Sequence, residues 1–264
     1  MLKILCTAVA LTGMLAAFGL ESAQAASVYV MSSGNATADA AVGSALTGAG
    51  HTVTAGLPWH QQNGGQGLAS HDAVVLLNNY NWSSSPMPAA GQAEILDYVQ
   101  NGGGLVTSEW FVWNLGSSDR FPGLAPLSPV QPTGSYNSAA STTYTQVTAN
   151  PILNEGLPAA MTFALGNISG TETVFNPWPG ATVFYSSSNG GGVPGSGGVV
   201  GWDAGSGRVI SFSTLIGLTE LSQPDYAHLF VNAVEWSAAV PLPGALWLLG
   251  SGLAGLAVWR RRAA

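Results

Sequence analysis

The sequence predicts an α/β domain built on a mainly parallel sheet with helices on both faces, followed by a β-rich second half. Two observations support this fold class. Strand and helix patterns alternate through the first half, and the strand segments there are apolar on both faces, as is typical of parallel sheets covered by helices. In the second half, short β-branched and aromatic segments follow one another between Gly, Pro, Asn and Ser turns, which predicts short strands.

The elements of the first half alternate in chain order. The predicted strands are SVYVMSSG, HTVTAG, HDAVVLLNNYNW and LVTSEWFVW, and the predicted helices are ATADAAVGSALTGAG and MPAAGQAEILDYVQNGGG. In the second helix Ile95, Leu96 and Val99 form one apolar stripe, and a triple glycine ends it. This alternation predicts right-handed crossovers between parallel strands.

The second half is predicted to contain short strands and one closing helix. The strand segments are Thr142–Val147, Met161–Leu165, Glu172–Phe175, Thr182–Ser186, Gly198–Trp202 and Arg208–Thr214. The closing segment DYAHLFVNAVEWSA is amphipathic, and its expected core residues are Leu229, Val231, Val234 and Trp236. The domain is therefore predicted to span residues 26–239.

Residues 1–25 have the pattern of a secretory signal peptide. Lys3 precedes a long apolar run, and Ala23 and Ala25 are the small residues that signal peptidase requires before its cleavage site. We expect the Sec machinery to export the chain and the mature protein to start near Ala26. The alternative is an uncleaved N-terminal anchor.

Residues 240–264 form a separate tail. It opens with a short proline motif, formed by Val240, Pro241, Leu242 and Pro243. The uncharged stretch 244–259 would cover roughly 24 Å as a helix, against a hydrocarbon core of about 30 Å. The arginines that follow it, which favour the cytoplasmic side, are Arg260, Arg261 and Arg262. The tail predicts a single membrane helix with the domain outside the cytoplasm.

A proline motif, an apolar helix and an arginine cluster, in this order, resemble the PEP-CTERM class of sorting signals in its VPLPA-like variant. The resemblance implies that an exosortase-type membrane protease cleaves the tail. The precursor would be anchored in the inner membrane. Its product would reach the periplasm, the cell surface or the extracellular matrix of a Gram-negative bacterium. The alternative is a plain tail anchor.

The composition of the mature span excludes several functions. Residues 26–239 contain twelve of the 13 Asp and Glu residues but only two of the 6 Lys and Arg residues, both arginines, so the net charge is 2 − 12 = −10. Such a surface repels polyphosphate, which argues against nucleic-acid binding. The span also lacks cysteine, which excludes disulfides and thiol catalysis.

The domain, like the tail, resembles a known family. Four motifs carry this second resemblance: ILDYVQNGGGLV, NPILNEGLP, GWDAGSGRVISFSTLIG and VNAVEW. They resemble the class I glutamine-amidotransferase-like fold, a flavodoxin-like architecture, and in particular its trehalose-utilisation (ThuA-like) branch. The resemblance places the amidotransferase cysteine just after GGGLV. The residues available there are Thr107, Ser108, Glu109 and Trp110, so glutaminase activity is excluded.

The histidines of the ThuA-like branch are also replaced. The resemblance places one after the fourth strand and one after the GRV strand, where this chain has Glu109 and Leu218. His228, in the closing helix, is interpreted as a packing residue rather than a catalytic one. The remaining histidines lack carboxylates at metal-ligand spacing, so neither a metal nor another cofactor is expected.

The fold class predicts a binding site at the carboxyl ends of the parallel strands. The side chains expected there are Tyr80, Asn81, Trp82, Glu109, Trp110 and Trp113, beside Ser32 and Ser33 from the first strand. Indole faces stack on pyranose rings and amides bond to their hydroxyls, so this set suits a sugar. The alternative is that the aromatic side chains belong to the core.

Two functions follow as hypotheses. The first is a non-catalytic protein of the envelope or of a biofilm matrix that interacts with exopolysaccharide or other surface partners. The second is a carbohydrate-active hydrolase or isomerase that uses Glu109, whose position after an apolar strand predicts partial desolvation and a raised pKa. Glycoside hydrolysis requires a second carboxylate, and the nearest in sequence is Asp119.

Overall fold

The computed structural model describes residues 25–189 and 196–238. Residues 1–24 of the predicted signal peptide, the glycine-rich segment 190–195, and residues 239–264, which include the predicted tail, lie outside the described residues. Among the helices that are described, none combines the length and the apolar character needed to cross a membrane.

The first half has the predicted alternation of strands and helices. Its elements are β1 (Ser27–Ser32), α1 (Ala36–Gly48), β2 (Thr52–Pro58), β3 (Ala73–Leu76), α2 (Ala89–Gln100), β4 (Gly104–Thr107) and α3 (Glu109–Ser117). Asn35 begins α1 as an N-cap, because its side chain accepts hydrogen bonds from the backbone N–H groups of Thr37 and Ala38. β1 is parallel to both β2 and β3, and β3 is parallel to β4.

The fourth strand is shorter than the sequence predicts. The segment LVTSEWFVW is rich in aromatic and β-branched residues, yet β4 ends at Thr107 and Glu109 begins α3. Ser108 occupies the N-cap position, but its side chain makes no capping hydrogen bond. The helix is stabilised instead by packing, because Trp110, Phe111 and Val112 are all buried. Glu109, Trp110 and Trp113 therefore lie on a helix rather than on the end of a strand.

Each strand segment predicted in the second half overlaps an observed strand. The strands are β5 (Val130–Gln131), β6 (Tyr136–Asn137), β7 (Ser141–Gln146), β8 (Ala160–Ala164), β9 (Glu172–Thr173), β10 (Asn176–Pro177), β11 (Thr182–Ser187), β12 (Gly197–Ala204) and β13 (Gly207–Phe212). Two helices follow, α4 (Leu218–Leu221) and the predicted closing helix α5 (Pro224–Ala238).

One large sheet joins the two halves. Its strands lie in the order β2-β1-β3-β4-β13-β12-β11-β7-β8. β13 is the junction, because it is parallel to β4 and antiparallel to β12. From β12 to β8 all neighbouring pairs are antiparallel, so the β-rich second half extends the parallel sheet into a mixed one. Two short ladders, β5 with β10 and β6 with β9, lie beside it.

Helices cover both faces of the sheet, as predicted. Successive residues of β1 point into two different cores, since side chains alternate along a strand. Val28 and Val30 belong to one core, which also contains residues of α1 and α5. Tyr29 and Met31 belong to the other, which contains residues of α2. This arrangement confirms the α/β class.

Candidate functional site

Polar side chains meet at the edge of the sheet where β3 and β4 end. Asn78 and Asn79 follow β3, Ser108 follows β4, and all three are buried. Ser108 Oγ donates to Asn79 Oδ1 at 3.0 Å, and Asn79 Nδ2 donates to Ile216 O at 2.9 Å. This is the edge at which the sequence predicts a site.

Asn81 and Tyr80 have different roles at this edge. Asn81 Nδ2 donates to Ser32 O at 3.0 Å, and Asn81 Oδ1 accepts from Trp59 Nε1 at 2.8 Å. Both ends of the amide are therefore used to attach the loop after β3 to β1 and to the core. Tyr80 donates its backbone N–H to Ser33 O at 3.0 Å, while its side chain is 40% exposed.

Three indole rings and one phenol form a contiguous aromatic group, here termed the tryptophan cluster: Trp82, Trp110, Trp113 and Tyr136. Trp82 and Trp110 are stacked, with centroids 5.5 Å apart. Trp113 meets Trp82 and Trp110 edge-on, at 5.4 and 5.2 Å, and Tyr136 meets Trp110 edge-on at 5.5 Å. Offset stacks and edge contacts are the favourable geometries for aromatic pairs. The three tryptophans were expected here from the sequence, and Tyr136 was not.

The members of the tryptophan cluster differ in exposure. Trp110 is only 1% exposed and is a core residue, which is the alternative that the sequence left open for the aromatic side chains. Trp82 and Trp113 are partly exposed, and Tyr136 is 47% exposed. The Nε1 atoms of Trp110 and Trp113 are buried and have no hydrogen-bond partner among the described residues. The cluster thus has a buried base, an open rim and two buried indole donors that have no partner in the described part of the chain.

Glu109 is buried next to Trp110 in the first turn of α3. Its backbone is fixed, since Glu109 N donates to Thr214 O at 3.2 Å and Glu109 O accepts from Thr173 Oγ1 at 3.0 Å. Its two carboxyl oxygens are buried without a hydrogen-bond partner in the described part of the chain. Burial raises the pKa of Glu109 well above its usual value, and the carboxyl groups of Glu172 and Glu220 raise it further. The neutral acid is therefore the favoured form.

Glu172 and Glu220 complete a buried acidic group that was not predicted from the sequence. Glu172 forms a β-bridge with Thr214, and Glu220 Oε1 accepts from Gly166 N at 2.6 Å. Burial raises the pKa of both carboxyl groups, and hydrogen bonds oppose part of the rise in each. Nothing in the local pattern marks either glutamate as buried, because only the folded second half brings them to Glu109.

A chain of hydroxyl groups connects Glu172 to a backbone carbonyl. Ser213 Oγ lies 2.6 Å from Glu172 Oε1 and 3.0 Å from Tyr144 Oη. Thr214 Oγ1 lies 2.9 Å from both Tyr144 Oη and Tyr226 Oη. Tyr226 Oη donates to Leu215 O at 2.6 Å. Four hydroxyl groups thus form five contacts in series.

Both ends of this chain are acceptors, because Ser213 Oγ donates to Glu172 Oε1 and Tyr226 Oη donates to Leu215 O. Each hydroxyl carries one proton, so the four protons are shared among five contacts, and one of the three contacts between hydroxyls has no proton of its own. Burial raises the pKa of Glu172, and the hydrogen bond from Ser213 opposes part of that rise.

Several residues considered from the sequence lie outside this acidic group. Asp119 is exposed beyond the end of α3, whereas Glu109 is buried, so the two carboxyl groups do not share one environment. Ser108 has extended backbone angles and donates to Asn79, which is not the geometry of an activated nucleophile. His228 lines a groove of about 450 Å³ between α1 and α5, and Glu109 is not part of that lining.

Metal ligands are not grouped in the described residues: nowhere do three His, Cys, Asp or Glu side chains converge as a metal site would require. The buried carboxyl groups instead face hydroxyls, amides and one another. What this arrangement offers chemically is a buried carboxyl group of raised pKa at Glu109, in the same helical turn as the buried indole of Trp110.

Comparison with protein families confirms the sorting signal. Residues 239–262 match the PEP-CTERM protein-sorting motif. The motif implies exosortase-targeted export of the chain. It lies outside the described residues, directly after α5. No curated protein matches the sequence.

Comparison with solved structures confirms the ThuA-like α/β fold. A cytoplasmic protein from Salmonella typhimurium is 16% identical, with a TM-score of 0.60 over 80% of this chain and 98% of its own. A ThuA-like protein from Parabacteroides merdae is 15% identical, with a TM-score of 0.60 over 83% of this chain and 92% of its own. A β-galactosidase from Bacillus circulans is 12% identical, with a TM-score of 0.55 over 83% of this chain but only 32% of its own. At these identities the likeness establishes the fold.

Proposed function

We propose that this chain is an exported, exosortase-processed protein of the cell envelope or extracellular matrix that binds exopolysaccharide without changing it. The observation that carries the proposal is the open rim of the tryptophan cluster, where Trp82, Trp113 and Tyr136 are partly exposed over a buried indole. Exposed aromatic faces match the C–H face of a sugar ring, on which they can stack.

The charge of the domain narrows the class of polysaccharide. With a net charge of −10 between residues 26 and 239, the mature protein repels polyanions. An uncharged polysaccharide meets no such repulsion, so we expect the ligand to be neutral. The fold also makes up about a third of a β-galactosidase, a carbohydrate-active protein, which supports a carbohydrate ligand.

The burial of Glu109 favours binding over catalysis. A general acid must reach the glycosidic oxygen, and the carboxyl group of Glu109 is covered by protein on every side. The exposed part of the site carries aromatic rings and no carboxyl group. A sugar on the rim would therefore be bound and not cleaved.

Affinity electrophoresis tests this proposal. The exported protein, run through gels that contain the exopolysaccharide of its own host, should be retarded. Trp113→Ala and Tyr136→Ala should each reduce the retardation, because each removes one exposed ring of the cluster. Trp178→Ala is the matched control, since this ring is 40% exposed but is not part of the cluster. Equal migration of the wild type with and without polysaccharide, or equal retardation of all variants, would contradict binding at the rim.

A second candidate, a carbohydrate-active hydrolase or isomerase, is favoured by one observation. Glu109 keeps a protonated carboxyl group with two unpartnered oxygens at the strand-end edge, which is a costly feature if it has no chemical use. Glu109→Gln and the control Asp119→Asn would be compared with wild type on a panel of glycosides. If wild type and Asp119→Asn hydrolyse a glycoside and Glu109→Gln does not, the enzymatic function is supported. If all three proteins show only background turnover, it is contradicted.

A further inference from the structure

The domain begins at the residue where the mature chain is expected to begin. Ala26 N donates to His51 Nδ1 at 3.1 Å, and Ala26 is only 6% exposed. Ala25, in contrast, is exposed. The predicted cleavage site of signal peptidase therefore coincides with the boundary between solvent and the folded domain.

His51 presents an acceptor to the backbone nitrogen of Ala26. The side chain of His51 is buried, and burial lowers its pKa, so the ring is neutral near pH 7. Because Nδ1 accepts from Ala26, the ring proton is on Nε2. Nε2 lies 3.5 Å from Glu235 Oε1 and has no hydrogen-bond partner among the described residues. The imidazole thus lies between the start of β1 and a carboxyl group on α5.

A second carboxyl group lies beside the same stretch of backbone. Asp72 Oδ2 accepts from Ser27 N at 2.7 Å and from Ser27 Oγ at 3.1 Å. In the part of the chain that the structure describes, neither Asp72 nor Glu235 forms an ion pair with an arginine. The start of the domain is therefore rich in negative charge that has no cationic partner.

The other titratable groups near Glu235 are Glu155 and His228, which line the same groove between α1 and α5. Burial raises the pKa of Glu235, Glu155 raises it further, and His228 opposes the rise. A cation placed next to His51 would counter the effect of Glu155 and stabilise the ionised form of Glu235.

We propose that His51 binds the α-amino group of Ala26, which signal peptidase creates, while Glu235 behind the imidazole and Asp72 beside Ser27 supply negative charge close to it. Hydrolysis of the bond between Ala25 and Ala26 leaves a carboxylate on Ala25 and an amine on Ala26, and water supplies the added atoms. The amine takes up a proton at neutral pH, since its usual pKa is about 7.7–8.0. The inference depends on the export part of the proposed function, because only an exported chain meets signal peptidase.

Binding of this group makes the cleaved chain more stable than the uncleaved one. Before cleavage Ala26 offers one neutral N–H to His51. After cleavage it offers a charged donor, and hydrogen bonds that involve a charge are roughly twice as strong as neutral ones. Removal of the signal peptide would thus stabilise the folded domain at the start of β1.

The composition supplies a selective probe for this group. Lys3 is the lysine of this chain, and it lies in the predicted signal peptide, so the mature protein has a single primary amine, on Ala26. Acetic anhydride near neutral pH acetylates amines. Because exposed tyrosine hydroxyls also react, mass spectrometry of the N-terminal peptide is used to follow the acetylation of the α-amino group.

The experiment uses the exported protein purified from its host. Mass spectrometry should first identify Ala26 as the N-terminal residue. Acetylation of the native protein should then be at least about tenfold slower than that of His51→Phe, a factor expected from the loss of one charged hydrogen bond. His60→Phe, a histidine outside the site, is the matched control and should react like wild type.

A second measurement requires no substitution. Protein acetylated in urea and refolded should unfold at a lower urea concentration than the free-amine form at pH 7. Binding of the ammonium form would raise the pKa of the amine in the folded chain, so its contribution would be full below about pH 7.7 and would be lost as the pH rises through the folded-state pKa. The two forms should therefore converge at high pH.

The outcomes separate this inference from the proposed function. If the exported protein has an N-terminal residue other than Ala26, the proposed cleavage between Ala25 and Ala26 is wrong. Equal acetylation rates in wild type and His51→Phe, with equal urea midpoints for the free and acetylated forms, would overturn the binding of the amine and leave export intact. Neither result depends on whether the protein binds exopolysaccharide.

Discussion

Trp82 stacks on Trp110 with ring planes inclined by 25°. The two residues come from different elements, since Trp82 lies in the loop after β3 and Trp110 in the first turn of α3. The buried ring of Trp110 holds the partly exposed ring of Trp82 in one orientation. A surface that is ordered before the ligand arrives loses less entropy on binding. Trp110 is thus a supporting residue, and the residues that would touch a ligand are on the rim.

Trp110→Ala should lower the stability of the protein by about 3–5 kcal/mol, because it removes a fully buried indole. Urea unfolding measures the change. Trp178→Ala removes an indole that is 40% exposed and should change stability by about 0.5 kcal/mol or less. Similar effects of the two substitutions would mean that Trp110 is not part of the core.

Glu109→Gln should weaken the pH dependence of folding. Burial and the neighbouring carboxyl groups raise the pKa of Glu109 in the folded chain, whereas an unfolded glutamate has a pKa of about 4.3. The folded chain therefore keeps a proton that the unfolded chain releases. Its stabilising effect is full below about pH 4.3 and is lost as the pH rises through the folded-state pKa.

Urea midpoints measured from pH 4 upwards check this prediction. The midpoint of the wild type should fall with rising pH more steeply than that of Glu109→Gln. Asp119→Asn, which removes an exposed carboxyl group, should follow the wild type. Parallel curves for wild type and Glu109→Gln would show that Glu109 does not titrate differently in the folded state.

Tyr144→Phe should destabilise the protein by about 1–3 kcal/mol, because the Tyr144 hydroxyl links Ser213 to Thr214 within the buried chain of hydroxyl groups. The substitution keeps the ring and breaks the series of hydrogen bonds from Glu172 to Leu215 O. Tyr80→Phe, at a ring that is 40% exposed, is the control and should be nearly neutral. Equal stability of the two variants in urea would contradict a continuous chain.

Mass spectrometry of the exported protein should find no peptide beyond about Pro243, because the PEP-CTERM motif at 239–262 directs exosortase processing. The membrane fraction should contain the precursor with its arginines. Replacing Pro241 and Pro243 by alanine should shift the protein from the exported pool to this fraction. An intact tail in the exported pool would contradict cleavage.

The fold could be predicted because its signals are local. Each apolar strand, amphipathic stretch or glycine-rich turn can be recognised within about a dozen consecutive residues. The order of the motifs along the chain then indicated the ThuA-like fold. The sheet order could not be read in the same way. β13 pairs with β4 across a separation of about a hundred residues, and no pattern in either strand specifies the partner. The helix at Glu109 was missed because its aromatic composition favours a strand until the packing of α3 is known.

The candidate site was predicted in part for the same reason. Trp82, Trp110 and Trp113 follow strands that were recognised, so their convergence was expected. Tyr136 belongs to β6, whose pairing with β9 brings it to the cluster, and that pairing is not local. Glu172 and Glu220 are also non-local, and their burial depends on hydroxyl and backbone partners that only the fold supplies.

The short distance between the domain and its sorting motif has a physical consequence. Trp236 in α5 packs in the core, and the chain from there to Pro243 spans at most about 25 Å when fully extended. We expect the membrane-tethered precursor, with a net charge of −10 on residues 26–239, to lie close to anionic lipid headgroups until the tail is cut. Because charges separated by more than one Debye length, about 8 Å at physiological ionic strength, are largely screened, this repulsion should favour release of the product only in dilute media, where the Debye length reaches about 30 Å at 0.01 M.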